Sequence, residues 1–145
     1  MNYRIEKMSL DDCTRLSQNL LNDFDDFWTP SSLMTELKNE NNYFIVAKED
    51  DIIVGFAGML VNIDYTEILN IVVHNDFRRK GIAQLLLDSI IEYTKQLQKN
   101  SITLEVNEQN TAAIKLYVKN DFKEVGRRKK YYNNTNDAIL MTKEL

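Results

Sequence analysis

Proline occurs once and glycine four times in 145 residues, so little of the chain is suited to linkers. Cysteine occurs once, at Cys13, which excludes an internal disulfide and suits a reducing cytoplasm. Histidine also occurs once, at His74, so a transition-metal site of the usual Cys/His kind is not expected. No apolar run approaches the roughly 20 residues that span a bilayer. Met1-Asn2-Tyr3-Arg4 opens a mixed polar segment, so no secretory signal and no membrane partner are expected. Basic residues are outnumbered, 18 against 22 acidic, for a net charge of −4, which argues against a DNA-binding role. What remains is ordinary for a soluble globular protein, with 43% hydrophobic and 28% charged residues. The length fits a single domain over residues 1–145.

The most informative stretch runs from Asn70 to Leu87. The apolar residues 68–73 read as a buried strand. A short polar turn follows, then Arg78-Arg79-Lys80-Gly81, then apolar residues at helical spacing: Ile82, Leu86, Ile90, Tyr93 and Leu97. Strand, basic glycine turn and helix in that order suit anion capture. The first turn of a helix has unpaired N–H groups and about half a positive charge from the macrodipole. Gly81 lacks a Cβ, so a ligand can approach the main chain there. Arg78, Arg79 and Lys80 add donors around it. Alone, the same turn is equally a solvated basic loop. The Walker spacing is missing, and a single glycine is not a dinucleotide fingerprint.

The rest of the chain alternates strand and helix signals. Residues 2–7 read as a strand. Ser9 caps a helix with Asp11 and Asp12 in its first turn and Leu10, Cys13, Leu16, Leu20 and Leu21 as its stripe, ending near residue 23. An acidic, aromatic loop around Trp28 leads to a short helix opened by Pro30 and capped by Thr29, carrying Leu33, Met34 and Leu37. Strands follow at 43–48, 52–61 and 65–73, with Gly55 and Gly58 marking a bulge or close approach. A helix over about 80–99, a strand at 101–106, a helix over 110–120 capped by Asn110, and a hairpin of strands 122–132 and 137–144 complete the chain. The order β-α-α-β-β-β-α-β-α-β-β predicts an α/β fold: a mixed, mostly antiparallel sheet flanked by helices on both faces.

Ile102, Leu104 and Val106 share one face of their strand, which turns Glu105 to the other. Taken singly, Glu105 reads as a solvent-facing carboxylate, Tyr117 as a core-edge aromatic, and Asn110 as a helix cap. Cys13 reads as a core residue of its helix. Arg127-Arg128-Lys129-Lys130 reads as a solvated strand edge that discourages aggregation.

Arg78-x-x-Gly81-x-Ala83, directly after Ile71-Val72-Val73, resembles the signature of the GCN5-related N-acetyltransferases. The run Leu104-Glu105-Val106, Asn110 to Tyr117, Phe122, Arg128-x-x-Tyr131-Tyr132 and Asp137 to Met141 is similar to the ribosomal-protein-alanine branch of that family. The resemblance implies acetyl-CoA as co-substrate, no metal, and the N-terminal alanine of a ribosomal protein as acceptor in the cytoplasm, with the enzyme a monomer or weak dimer. It implies Glu105 as general base and Tyr117 as general acid. It puts Ile71, Val72, Val73, Arg78, Arg79, Lys80, Gly81, Ile82, Ala83, Gln84 and Asn110 around the coenzyme, with Trp28 and Tyr131 toward the peptide. Asn75 stands where the family usually has proline, and Asp121 where it usually has glycine; a left-handed backbone is tolerated by Asp better than by most residues. Two other functions stay open: transfer to a small-molecule amine or lysine side chain, and non-catalytic binding of an acyl-CoA.

Overall fold

The computed structural model describes residues 2–24, 30–132 and 134–145, with side chains throughout except at positions 17, 19–23 and 30–32. Trp28, Asp25, Asp26 and Thr29 lie outside the described residues, as do the side chains of Leu20 and Leu21. In chain order the elements are β1 (Arg4–Lys7), α1 (Leu10–Asp23), α2 (Pro30–Leu37), β2 (Asn42–Glu49), β3 (Ile52–Val61), β4 (Tyr65–Val73), α3 (Ile82–Gln96), β5 (Ser101–Asn107), α4 (Thr111–Lys119), β6 (Lys123–Tyr132) and β7 (Asn136–Glu144). The strands form one sheet in the order β1-β2-β3-β4-β5-β7-β6. Every neighbouring pair is antiparallel except β4 and β5.

Strand alternation divides the core into two layers. On β2, Phe44 and Val46 pack with Cys13, Leu16 and Leu33 from α1 and α2. Ile45 and Ala47, pointing the opposite way, pack with Ile82, Leu86, Leu87 and Ile90 of α3 and with Tyr117 of α4. The sheet is therefore covered on both faces, as the element order predicts, and Cys13 is a core residue.

Local chemistry sets the ends of the elements. Ser9 and Asp12 form a capping box at the start of α1. Between β4 and α3, residues Asn75–Phe77 form a 3₁₀ turn, where the sequence suggests only a polar turn; the His74 Nδ1 accepts the Asp76 N–H at 3.0 Å and caps it. The third helix is shorter than the 80–99 expected from its apolar spacing. Gly81, at φ +79°, ends the turn before it, and Gln98, at φ +59°, unwinds its far end. Leu97 is its C-cap and is exposed rather than part of the buried stripe. Asp121 does adopt the left-handed conformation, at φ +70°.

Gly58 answers to close approach: a Cβ there would stand 2.4 Å from the ring of Phe44. Beside it the β3–β4 register slips, Gly58 pairing Asn70 while Met59 pairs Ile68, so Leu69 is an extra residue in β4. Gly55 pairs Ala47 beside a second slip, past which Lys48 pairs Ile53 and Val54 is the extra residue. The bulge in β4 is the feature that shapes the site.

Candidate active site

A bulge bends its strand and increases local twist. β4 and β5 pair in parallel only from Tyr65–Ser101 to Ile68–Leu104. Past that point, at Leu69, they part, and a cleft of about 680 Å³ opens between them. Ile68 to Val72 line one wall and Leu104 to Asn107 the other, with Asn110, Ala113 and Tyr117 of the α4 segment and Tyr132 of β6 closing it. Its size is that of a small-molecule site.

The parted strand edge offers main-chain donors. His74 donates its N–H to the Val54 carbonyl at 2.8 Å. Alternate residues of an antiparallel strand bond to the same neighbour, so the Val73 N–H points the other way, toward the β5 side. No β5 residue pairs with β4 there.

Glu105 leaves the core face that Ile102, Leu104 and Val106 occupy and lines the cleft. Its Oε1 forms an ion pair with the Arg128 Nε at 2.9 Å. Tyr117 stands on α4, its ring 5.5 Å from that of Phe122. It is 7% exposed. Burial, with a smaller contribution from Tyr132, pushes its phenol up to about 12, so the hydroxyl keeps its proton through the neutral range. Asn110 caps α4, accepting the Ala113 N–H at 3.2 Å, and also lines the cleft. Base candidate, acid candidate and cap thus face one cavity.

The basic turn lies beyond the C-terminal end of β4. Arg78, Arg79, Lys80 and Gly81 are exposed, and the Lys80 Nζ sits 5.4 Å above the Phe77 ring. Arg79 is left-handed at φ +62°, as is Gly81 at +79°. Nothing stands within 4 Å of where a Gly81 Cβ would be, and no side chain caps α3. The first N–H groups of α3, from Ile82, Ala83 and Gln84, therefore face open space beside three cations. The Gln84 side chain is engaged elsewhere, donating to Asp88 at 2.8 Å and to Asn120 at 2.9 Å, which ties α3 to the end of α4. Only its main chain is available to a ligand.

Several residues reach the site although the sequence assigns them no role there. Tyr132, rather than Tyr131, lines the cleft. Tyr131 is 55% exposed, packs edge-on against Tyr132, and carries the Arg128 guanidinium 5.6 Å from its ring centre. Arg127 to Lys130 do lie on an exposed edge strand, but Arg128 is drawn back to Glu105. Glu67 of β4 is half-buried; burial raises its carboxyl, as does the nearby Glu105, against the opposing pull of Arg128. Asn70 is buried in the cleft wall, and both polar atoms of its amide lack a hydrogen-bond partner. The signal for Asn70 was present: one polar residue inside the apolar run 68–73. Among the described residues no cluster of three metal-ligating side chains occurs, and no helix is long and apolar enough to cross a membrane.

Comparison with known proteins gives a consistent picture. Residues 10–122 match the family model of the acetyltransferase (GNAT) family. The [ribosomal protein bS18]-alanine N-acetyltransferase of Salmonella typhimurium is 33% identical over 117 residues, covering 77% of this chain and 79% of that protein. The crystal structure of the ribosomal-protein-S18-alanine N-acetyltransferase from Escherichia coli superposes with a TM-score of 0.89 at 24% identity, covering 99% of this chain and 94% of the other. Arabidopsis thaliana NAA60 in complex with acetyl-CoA superposes with a TM-score of 0.84 at 19% identity, covering 99% of each chain. At these identities the two solved structures speak to the fold.

Proposed function

The chain belongs to the acetyltransferase (GNAT) family and is an N-acetyltransferase; from that premise we propose that it acetylates a protein N-terminal amine, that of an alanine-started ribosomal protein, with acetyl-CoA as co-substrate. One observation carries the proposal: Glu105 and Tyr117 line the same cleft, at the point where β4 and β5 part. The names of the relatives support the acceptor. On this reading residues 1–145 act as one catalytic domain in the cytoplasm.

The residues fit the coenzyme. A left-handed Gly81 with open space around it, an uncapped helix N-terminus and three cations suit a diphosphate. The unpaired edge of β4 suits an amide-bearing arm. Bound there, acetyl-CoA supplies a thioester carbonyl open to amine attack and a thiolate that departs.

The chain's own groups carry the proton traffic. Glu105, directly or through water, takes the proton of the acceptor amine so that nitrogen can attack. A protein α-amine has a pKa near 8 and lysine near 10.4, so deprotonating lysine costs roughly 3.4 kcal/mol more. That gap favours the α-amine. The Val73 N–H stabilises the charge that gathers on the carbonyl oxygen. Tyr117, held protonated by its burial, donates to the departing sulfur.

The test is a transfer assay with purified protein, acetyl-CoA and a peptide starting with alanine, read as an added acetyl mass. Glu105→Gln and Tyr117→Phe are each expected to lower kcat by about 10²-fold or more while coenzyme affinity changes little. Wild-type turnover in both variants removes these roles. Turnover of small amines in preference to the peptide removes the acceptor.

A further inference from the structure

Arg128 lies on the outer strand of the sheet, in a run of four cations whose other members are exposed. Its own side chain is 57% exposed, yet its Nε sits 2.9 Å from Glu105 Oε1. The pair engages one carboxylate oxygen and leaves the other free to receive an amine proton. The Tyr131 ring, 5.6 Å from the guanidinium carbon, supports the arginine from beneath.

The charges around Glu105 can be taken element by element. β4 contributes Glu67, whose ionisation is opposed by burial and by the nearby charge of Glu105. α4 contributes Tyr117, which stays neutral. β6 contributes Arg128 and the neutral phenol of Tyr132. β7 places apolar Leu140 opposite Glu105, and its Asp137 is turned instead to Arg127 and the Lys130 N–H. With both carboxylates ionised, the reactive end therefore carries two negative charges and one positive. Without Arg128 it would carry two uncompensated carboxylates.

That difference matters for an enzyme that needs its acceptor uncharged. An ammonium beside two carboxylates holds its proton more tightly, and a fixed cation nearby works the other way. Arginine is suited to the task because it stays charged at every working pH.

We propose that Arg128 is a positioning residue for acceptor deprotonation: through its ion pair it holds Glu105 toward the cleft, and its charge lets an amine bound there give up its proton more readily. This rests on the reading of the site as an N-terminal acetyltransferase. It names a determinant of acceptor deprotonation within it.

The experiment measures kcat against pH for an alanine-started peptide and for an N-terminally blocked peptide carrying one lysine, in the wild type, Arg128→Gln and Arg128→Lys, because kcat reports ionisations in the bound complex. In the wild type the α-amine peptide is preferred, and its rate rises with pH as the amine loses its proton. Arg128→Gln is expected to move that rise upward by about half to one pH unit. Arg128→Lys, which keeps the charge, is expected to return the rise toward its wild-type position. Melting temperatures of all three should agree, since the side chain is largely exposed. A uniform loss of rate at every pH, with the rise unmoved, assigns Arg128 a merely structural part and overturns the inference alone. A wild type that prefers the lysine peptide overturns the acceptor reading as well.

Discussion

Tyr117, proposed as the general acid, is a buried group whose titration also bears on stability. The phenol is pushed up to about 12 by burial, from an ordinary value of 10.0. The folded state therefore binds this proton more tightly than the unfolded state does. Its contribution is fully present below pH 10 and is lost as pH rises from 10 toward 12. A two-unit shift corresponds to about 3 kcal/mol at most. Tyr117→Phe removes this titration and leaves Tyr43 and Tyr132 as they are. The variant's melting temperature should then fall less steeply than the wild type's between pH 9 and 11, as read by circular dichroism. Equal slopes would mean that the hydroxyl is not held in a dry site. Asn70 is the opposite case, a buried amide with neither atom paired.

At the scale of the element, the N-terminus of α1 divides what can be read from sequence from what cannot. Ser9 as cap and acidic residues in the first turn follow from local spacing, because capping is a contact three residues long. The reciprocal bonds are there, Ser9 N–H to Asp12 Oδ2 and Asp12 N–H to Ser9 Oγ, both at 3.0 Å. Lys48, from β2, is not legible locally. It reaches Asp12 Oδ1 at 2.8 Å and Glu6 Oε1 at 2.8 Å, clamping helix to sheet. Burial alone would raise the Asp12 carboxyl, but the Lys48 and Ser9 bonds together hold it below the usual range. Its stabilising effect is thus present above about pH 4 and lost as pH falls through the depressed value. Asp12→Ala breaks a largely buried pair and a capping box at once, and should cost about 3 kcal/mol in urea unfolding. A cost under about 1 kcal/mol would show that Lys48 and Glu6 compensate. The third helix repeats the lesson. Its apolar period reads past both ends, since the period is blind to the left-handed Gly81 and Gln98 that stop it.

For the whole molecule, the legible part of the site is the part that is contiguous. Strand, basic turn and helix from residue 68 to residue 84 carry the pattern on which the proposed diphosphate site rests, because the physics there is local. The convergence of Glu105 with Tyr117 depends on β4 bulging at Leu69 and parting from β5, a tertiary event to which Gly58 gives only a weak local clue. Arg128 comes from the far edge of the sheet, β6, and only the order β5-β7-β6 brings it near Glu105. Such an open wedge gains from whatever fills it. A ligand that binds only the folded state at 100 times its Kd adds about 2.7 kcal/mol. For a chain of this size that is a rise in melting temperature of roughly 5–10 °C. Acetyl-CoA and CoA should give similar shifts, since the diphosphate and its arm are common to both, while an alanine-started peptide alone should give little. Gly81→Ala separates the loop from the rest of the cleft. Its cost to the free protein should be about 1–2 kcal/mol, from the left-handed conformation alone, because nothing crowds the added Cβ. Its coenzyme-induced shift should shrink further, because that methyl projects into the space a diphosphate would take. A full shift in the variant would mean that the coenzyme's phosphates are held elsewhere, and the anion site would have to be sought away from the start of α3.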